Sequence, residues 1–214
     1  MRENSRLSRY NVARVIECFC ADIDAGKTAL LLKLNSRIVN RYFLAFRRLI
    51  KAHQLSQMQQ MLGVGEADES LSGPNLSRQP VFGIYERDGV IFTEQVSDGS
   101  AKTLQAVIRG KVSPESIVGS DGWRGYDGLL DLRHDHHFRL NSKGLAETSA
   151  NGNGMEAFWN FAKDRLAKLT GVKRHVGLHL KECEWRYNRT LSQLHTCLKD
   201  LLSKSNDLMI KSKD

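Results

Sequence analysis

Residues 117–129, IVGSDGWRGYDGL, place an aspartate directly behind a short apolar run. Ile117 and Val118 are β-branched and are bounded by a proline and a glycine, which predicts the end of a buried parallel strand rather than a helix. Asp121 then lies at the carboxyl end of that strand. Open α/β sheets bind their ligands at the carboxyl ends of strands, so Asp121 is one half of a predicted metal site.

Extended segments come before this strand, and helices alternate with strands after it. Asp88 and Gly89 join two of the early runs and form a favoured hairpin turn pair. The predicted order is three strands, a helix capped by Ser100, a strand, a short helix, a strand and a long helix. The predicted ranges are 63–70, 80–87, 90–96, 101–109, 116–120, 126–132, 137–140 and 153–169. We therefore predict an α/β fold.

This order of elements resembles the ribonuclease H-like fold, a mixed five-stranded sheet in which two parallel strands extend an antiparallel meander, with flanking helices. Three acidic residues match the positions at which such folds hold metal ions: Asp68 on the first strand, Asp121 after the fourth, and Glu156 in the last long helix. Carboxylate oxygens are the ligands that Mg²⁺ prefers. The resemblance implies that these three residues are catalytic and hold two Mg²⁺ ions, for which Mn²⁺ can substitute.

The predicted long helix has one apolar stripe and a polar flank beside it. At about 100° per residue the stripe that packs on the sheet contains Met155, Phe158, Trp159, Ala162, Leu166 and Leu169. Glu156, Asn160 and Lys163 fall together on the neighbouring flank. The helix therefore presents an acid at the metal site and a cation two turns farther along, where a DNA phosphate can lie.

The amino-terminal part of the chain is basic and helical. Its first 60 residues carry eleven Lys or Arg against four Asp or Glu, so that they account for nearly all of the chain's net charge of +8. Two helices precede a longer one that Ser36 is predicted to cap, and the tight turn before it predicts a small all-α helix-turn-helix domain. The arginines of the last helix that lie away from its core stripe are candidate DNA contacts: Arg37, Arg41, Arg47 and Arg48.

Five longer motifs carry a family resemblance. They are EADES at 66–70, SAKTLQAVIRGKV at 100–112, SDGWRGYDGL at 120–129, NGMEAFWNFAKDRLAKLTGV at 153–172 and LHLKECEWRYNR at 178–189. These motifs closely resemble those of the DDE transposases of bacterial insertion sequences, in particular the family numbered fifteen ninety-five. The resemblance implies an enzyme that binds double-stranded DNA at the inverted repeats of its element, cleaves it in a metal-dependent reaction and joins the strands to target DNA.

Further contacts and partners are predicted around this site. Lys102, Arg124 and Lys163 lie near the predicted site and are candidate DNA contacts. A homodimer or a larger assembly on DNA is expected, because two element ends must be brought together. Asn153, three residues before Glu156, is an alternative ligand for the third position of the metal site.

The stretch after Asp68, LSGPNLSRQ at 71–79, departs from the family pattern. Family members usually carry a long basic, glycine-rich loop at that point. A catalytically decayed relative that acts only as a DNA-binding protein is therefore the alternative function. A plain ribonuclease H-like nuclease is a third interpretation, in which the helix-turn-helix would have no obvious task.

The predicted organisation has three parts. Residues 1–60 form the helix-turn-helix and a linker, residues 61–172 the catalytic domain, and residues 173–214 carboxyl-terminal helices that pack on the catalytic domain and end in a frayed tail. The four cysteines lack paired spacing, which indicates reduced structural thiols. No apolar run has the length of a membrane span or the character of a secretion signal, so we expect a cytoplasmic, nucleoid-associated bacterial protein without a membrane partner.

Overall fold

Two units divide the chain in the computed structural model. It describes residues 7–56, 64–69, 80–86, 90–98, 100, 102–103, 106–108, 117–120, 137–139, 154–169 and 172–205. The boundaries between the units fall after Leu55 and after Tyr187. The predicted helix at 126–132 lies outside the described residues, whereas residues 102–103 and 106–108 of the predicted helix at 101–109 are helical.

The first unit begins with three helices whose limits follow from local polar contacts. They are α1 (Arg9–Cys20), α2 (Ala25–Leu32) and α3 (Ser36–Ser56). Helix α2 begins where the Asp24 carboxylate accepts the Lys27 backbone N–H at 2.9 Å, and it ends where Lys33 adopts a left-handed φ of 52°. A short turn therefore connects α2 to α3.

The start of α3 differs from the predicted one by a single residue. Ser36, the predicted cap, is the first helical residue, and the Asn35 side chain accepts the Arg37 backbone N–H at 2.9 Å. An asparagine carbonyl reaches the N–H group two residues ahead, which makes it as good a cap as serine. The prediction of Ser36 as the cap was wrong for that reason.

Aromatic rings hold α1 against α3. The ring of Phe19 meets those of Phe43 and Phe46 edge to face, with centroids 4.9 Å and 5.3 Å apart. Phe46 and Val39 are fully buried, as the apolar spacing of α3 predicts. This cluster is the core of the first unit.

A mixed sheet forms the centre of the second unit. Its strands are β1 (Val64–Glu69), β2 (Val81–Glu86), β3 (Ile91–Gln95), β4 (Ile117–Ser120) and β5 (His137–Arg139). They lie in the order β3-β2-β1-β4-β5. The pairs β1–β2 and β2–β3 are antiparallel, whereas β1–β4 and β4–β5 are parallel. The mixed α/β class predicted from the sequence is confirmed.

Two helices complete the second unit. Helix α4 (Gly154–Ala167) is followed by a 3₁₀ turn (Val172–Arg174) and by α5 (Val176–Arg186). Both helices bury apolar residues in one core cluster with residues of β2 and β3: Val81, Ile91, Met155, Phe158, Trp159, Ala162, Leu166, Val172, Val176, Leu180 and Cys183. The predicted apolar stripe of α4 is thus buried, with Leu169 packed against it.

The last helix, α6 (Leu191–Lys204), belongs to the first unit and packs against α1. Its cap at Thr190 is reciprocal with Gln193, and its buried residues are Leu194 and Leu198. The sequence predicts that both carboxyl-terminal helices pack on the catalytic domain. In the structure α5 packs on β3 of the second unit, but α6 supplies apolar surface to the helical unit instead.

We expect Leu198→Ala to lower the free energy of unfolding by about 3 kcal/mol, because it leaves a cavity at a fully buried position. Leu191→Ala on the same helix is the matched control, since Leu191 is 56% exposed and its change should cost less than about 0.5 kcal/mol. Urea unfolding followed by circular dichroism measures both. Equal losses in the two variants would contradict the packing of α6 in this unit.

Candidate active site

Helix α4 begins in very close contact with strand β2. A Cβ atom at Gly83 would lie 2.6 Å from Cζ2 of Trp159 and would also overlap Met155. A Cβ atom at Gly154 would lie 2.7 Å from Cδ1 of Tyr85. Side chains do not tolerate such distances, so both positions require glycine. The first turn of α4 therefore lies directly on β2.

Strand pairing brings the position of Asp68 to the same place. Asp68 of β1 is paired with Gly83 of β2 in the antiparallel register. The two positions of such a pair share one face of the sheet, so position 68 lies on the face that α4 covers. Helix α4 packs against both strands. Position 68 and the first turn of α4 are thus neighbours.

Glu156 lies in that first turn and is exposed to solvent. Asn160 and Lys163 are also exposed, in agreement with the predicted polar flank of the helix. Glu156 follows Met155, whose side chain reaches Gly83. The structure therefore places position 68 and the helical turn that carries Glu156 on the same face of the sheet.

The third acidic position follows strand β4. Ser120, the last residue of β4, is paired with Ala67 in the parallel register. Asp121 is the next residue in the chain and lies outside the described residues, as do Asn153 and Arg124. Position 120 thus lies beside position 67, one residue before Asp68.

The residue types suit a hard divalent cation, because Asp and Glu supply the oxygen ligands that Mg²⁺ and Mn²⁺ take. Among the side chains that the structure describes, no group of three or more His, Cys, Asp or Glu could hold a metal ion. Since Asp121 lies outside those residues, the predicted ligand set of Asp68, Asp121 and Glu156 stays a prediction.

Helix α5 is fastened to the edge strand β3 by two buried charged side chains. Oε1 of Glu184 accepts hydrogen bonds from the backbone N–H of Thr93 at 2.7 Å and from its hydroxyl at 2.6 Å. Nζ of Lys181 donates to the Thr93 carbonyl at 2.9 Å and pairs with Glu184 at 2.8 Å. Burial raises the pKa of the Glu184 carboxyl, while Lys181 and Thr93 oppose the rise. The middle of the edge strand therefore has its backbone groups satisfied by α5.

A second buried carboxylate joins α5 to α4. Nη2 of Arg165, on α4, lies 2.6 Å from Oε1 of Glu182, and Nη2 of Arg186 lies 2.8 Å from the same oxygen. Cys183 lies beside Arg165 and is fully buried, which raises the pKa of its thiol to about 11. The thiol therefore remains protonated at neutral pH, and it packs in the core cluster of the second unit.

These ionic contacts were missed in the sequence. The available signal was the spacing of Lys181 with Glu184 and of Glu182 with Arg186 within LHLKECEWRYNR. Such spacing is common on exposed helices, and their partners lie far away in the chain. Glu184 bonds a residue 91 positions distant and Glu182 one 17 positions distant.

The predicted DNA contacts of α3 lie in two environments. Arg37, Arg41 and Arg48 are exposed, and helical spacing puts them on the side opposite the buried residues, together with exposed Lys51. Arg47 is half-buried, and its guanidinium lies 5.7 Å from the ring centroid of Phe19 and 5.8 Å from that of Phe43. Cation–π contact thus assigns Arg47 a part in joining α1 to α3.

Lys102 lies at the start of a capped helical segment and is exposed. Asp98 accepts the Ser100 backbone N–H at 2.8 Å and the Thr103 hydroxyl at 2.9 Å, and the Ser100 hydroxyl accepts the Thr103 backbone N–H at 3.4 Å. Ser100 therefore caps this segment, as predicted. The hydrogen bonds from Ser100 and Thr103 lower the pKa of Asp98 to about 2.

A mixed sheet with α4 lying over its antiparallel part is consistent with a transposase domain. Residues 59–188 match the family described as the ISXO2-like transposase domain, and the chain belongs to that family. An uncharacterized transposase-like protein of Haemophilus influenzae is 45% identical over 102 residues, which are 47% of this chain and 82% of that relative. The resemblance to bacterial insertion-sequence transposases is confirmed. Within the described ranges, no helix combines the length and apolar character needed to cross a membrane.

Lys181→Met should lower the free energy of unfolding by about 3 kcal/mol, because it leaves the Glu184 carboxylate buried without its cation. Lys27→Met is the matched control, since it removes an exposed ion pair with Asp24 and should cost at most about 0.5 kcal/mol. Urea unfolding measures both variants. The double variant Lys181→Met/Glu184→Gln should lose less than Lys181→Met alone, and a larger loss would contradict this account.

Proposed function

We propose that this chain is an insertion-sequence transposase that cleaves DNA at the inverted repeats of its element and transfers the strands to target DNA. The observation that carries the proposal is the pairing of Asp68 with Gly83, beneath the first turn of α4 in which Glu156 lies. Membership of the ISXO2-like family supports DNA as the substrate. The strand order β3-β2-β1-β4-β5 supports a ribonuclease H-like fold for the catalytic domain.

Three carboxylates perform the chemical role in this proposal. Asp68, Asp121 and Glu156 hold two Mg²⁺ ions, or Mn²⁺ in their place, and Asn153 is the alternative to Glu156. When bound, such ions stabilise the negative charge that develops on the attacked phosphate and on the leaving oxygen. The protein contributes the ligands and their spacing: β1 pairs with β4, β1 pairs with β2, and α4 packs on β2.

Basic residues near the acids bind the DNA backbone. Lys163 lies about two helical turns, or about 10 Å, beyond Glu156 along the exposed flank of α4. A phosphate flanking the cleaved bond can therefore contact Lys163 while Glu156 faces the reacting phosphate. We assign Lys102 and Arg124 similar backbone contacts.

The helical unit binds the element ends. Helices α2 and α3 with their connecting turn form the helix-turn-helix, and α3 is its recognition helix. The exposed side of α3 carries Arg37, Arg41, Arg48 and Lys51 over about 21 Å, which suits contacts to double-stranded DNA. Arg47 supports α3 from within the unit. Two element ends require a homodimer or larger assembly, which we place at the nucleoid in the cytoplasm.

Glu156→Gln should reduce joining of pre-cut element ends in Mn²⁺ at least about a hundredfold. Loss of a metal ligand lowers activity more than loss of a residue that only orients such a ligand. Asp121→Asn should have the same effect. Asp164→Asn, an exposed acid on the same helix, is the matched control and should join ends like the wild type. Wild-type protein that binds the ends without ever joining them would establish the non-catalytic DNA-binding relative, with the departure from the family pattern at 71–79 as the sequence difference.

Single alanine substitutions of Arg37, Arg41 and Arg48 should each weaken DNA binding and lower the slope of log affinity against log salt by about 1, because each removes one phosphate contact. Arg14→Ala is the matched control, because this α1 residue is exposed and paired with Glu17 at 2.9 Å. Fluorescence anisotropy with labelled element ends at several salt concentrations gives the slopes. Slopes that are unchanged in all three variants would remove DNA binding from this side of α3.

A further inference from the structure

The contact between α4 and β2 includes two reciprocal pairs of a glycine and an aromatic ring, with the terminal methyl group of Met155 also close to Gly83. Trp159 of α4 rests on Gly83 of β2, and Tyr85 of β2 rests on Gly154 of α4. In each pair the rigid ring of one element meets the bare backbone of the other. Trp159 and Gly83 are buried, and Tyr85 is partly buried against the same core.

These two pairs surround the acid of α4. Gly154 is two residues before Glu156, and Trp159 is three residues after it, so all three lie within about one and a half turns. Gly83 is also the partner of Asp68 in the sheet. The ring–glycine contacts therefore connect the helical turns around Glu156 with the strand that pairs with Asp68.

Resting on the proposed function of these acids, we propose that Gly83 and Trp159, with Gly154 and Tyr85, are positioning residues that set the separation of Glu156 from Asp68. A ring lying on backbone gives a fixed separation, because neither an indole ring nor a strand can be compressed. A longer side chain at residue 83 would leave that separation to a flexible rotamer. Metal ligands need their geometry fixed to a few tenths of an ångström.

The far end of α4 is held independently. Arg165 binds the buried Glu182 of α5 at 2.6 Å, and α5 is fastened to β3 through Thr93. A methyl group added at Gly83 therefore cannot move the helix as a whole. It lifts the amino-terminal turns of α4 while the Arg165 end stays in place, so that the displacement is largest near Glu156.

The test is Mn²⁺ binding by the full-length protein, measured by calorimetry without DNA. Gly83→Ala should weaken Mn²⁺ binding about tenfold, the effect typical of losing a residue that orients a metal ligand. Gly83→Ala/Trp159→Phe should recover most of the affinity, because phenylalanine lacks the indole atoms Cζ2 and Cη2 that the new methyl group would meet, and the flexible terminal methyl group of Met155, which it would also meet, can rotate aside. Gly177→Ala on α5 is the matched control, because its Cβ would lie 3.5 Å from Gln95, an ordinary contact, and its affinity should equal that of the wild type.

Circular dichroism of each variant distinguishes a protein that has failed to fold from a folded protein in which Glu156 is displaced. If Gly83→Ala does not fold, Gly83→Ala/Trp159→Phe must still fold and bind Mn²⁺ close to the wild type. Folded Gly83→Ala with wild-type affinity, or a double variant no better than Gly83→Ala, overturns the positioning role alone. Wild-type Mn²⁺ binding that Glu156→Gln leaves unchanged overturns the proposed metal site itself, and the positioning role with it.

Discussion

The carboxylate of Glu184, enclosed with Lys181 against the edge of the sheet, is the contact on which the arrangement of the second unit depends. Taking two charges out of water costs several kcal/mol for each, and the cost is offset only when every polar atom has a partner. Here the carboxylate accepts from three donor atoms and the ammonium donates to three acceptor atoms, with the Phe92 ring centroid 4.1 Å from Nζ. Because these bonds are directional, α5 has one longitudinal position along β3. Apolar packing alone would allow it to slide.

The fixed position of α5 along β3 in turn fixes the position of α4, the helix of the candidate site. Glu182, two residues before Glu184 on the same helix, binds Arg165 near the end of α4, and α4 begins at Gly154, which lies against Tyr85 of β2. Edge strand, α5 and α4 thus form one connected series of short contacts. A polar series of this kind tolerates little change, since a buried group left without its partner is costly. The ionic residues of LHLKECEWRYNR serve the placement of Glu156, although none of them lies beside it.

Local pattern was sufficient for the elements and for part of the site. The spacing of Met155, Phe158, Trp159 and Ala162 identified the buried stripe of α4, which left Glu156 and Lys163 on the exposed flank. Periodicity and turn chemistry depend on neighbours within a few residues, so they could be predicted from the sequence. The pairing of Asp68 with Gly83 could not be predicted in this way, because the register of two strands depends on contacts across the sheet.

The other differences between prediction and structure also arise from contacts between residues that are distant in the sequence. Arg165 lies on the buried stripe, where its charge is paired with a glutamate distant in sequence. Arg47 lies against the rings of Phe19 and Phe43. Side-chain chemistry alone assigns both arginines to the surface. Helix α6 has an ordinary amphipathic pattern that does not identify the surface it covers. Its partner, α1, lies at the other end of the described chain.

Because α6 packs against α1, the helical unit can complete its folding only after α6 has been synthesised. Helices α1 to α3 leave the ribosome early, whereas Leu194 and Leu198 follow only after the whole sheet has been made, a delay on the order of ten seconds. Until then α1 exposes the apolar surface that α6 will cover. The nascent chain thus carries an unfinished helical unit, and the basic surface of α3 reaches its full stability only in a polypeptide that already contains the acids of the second unit.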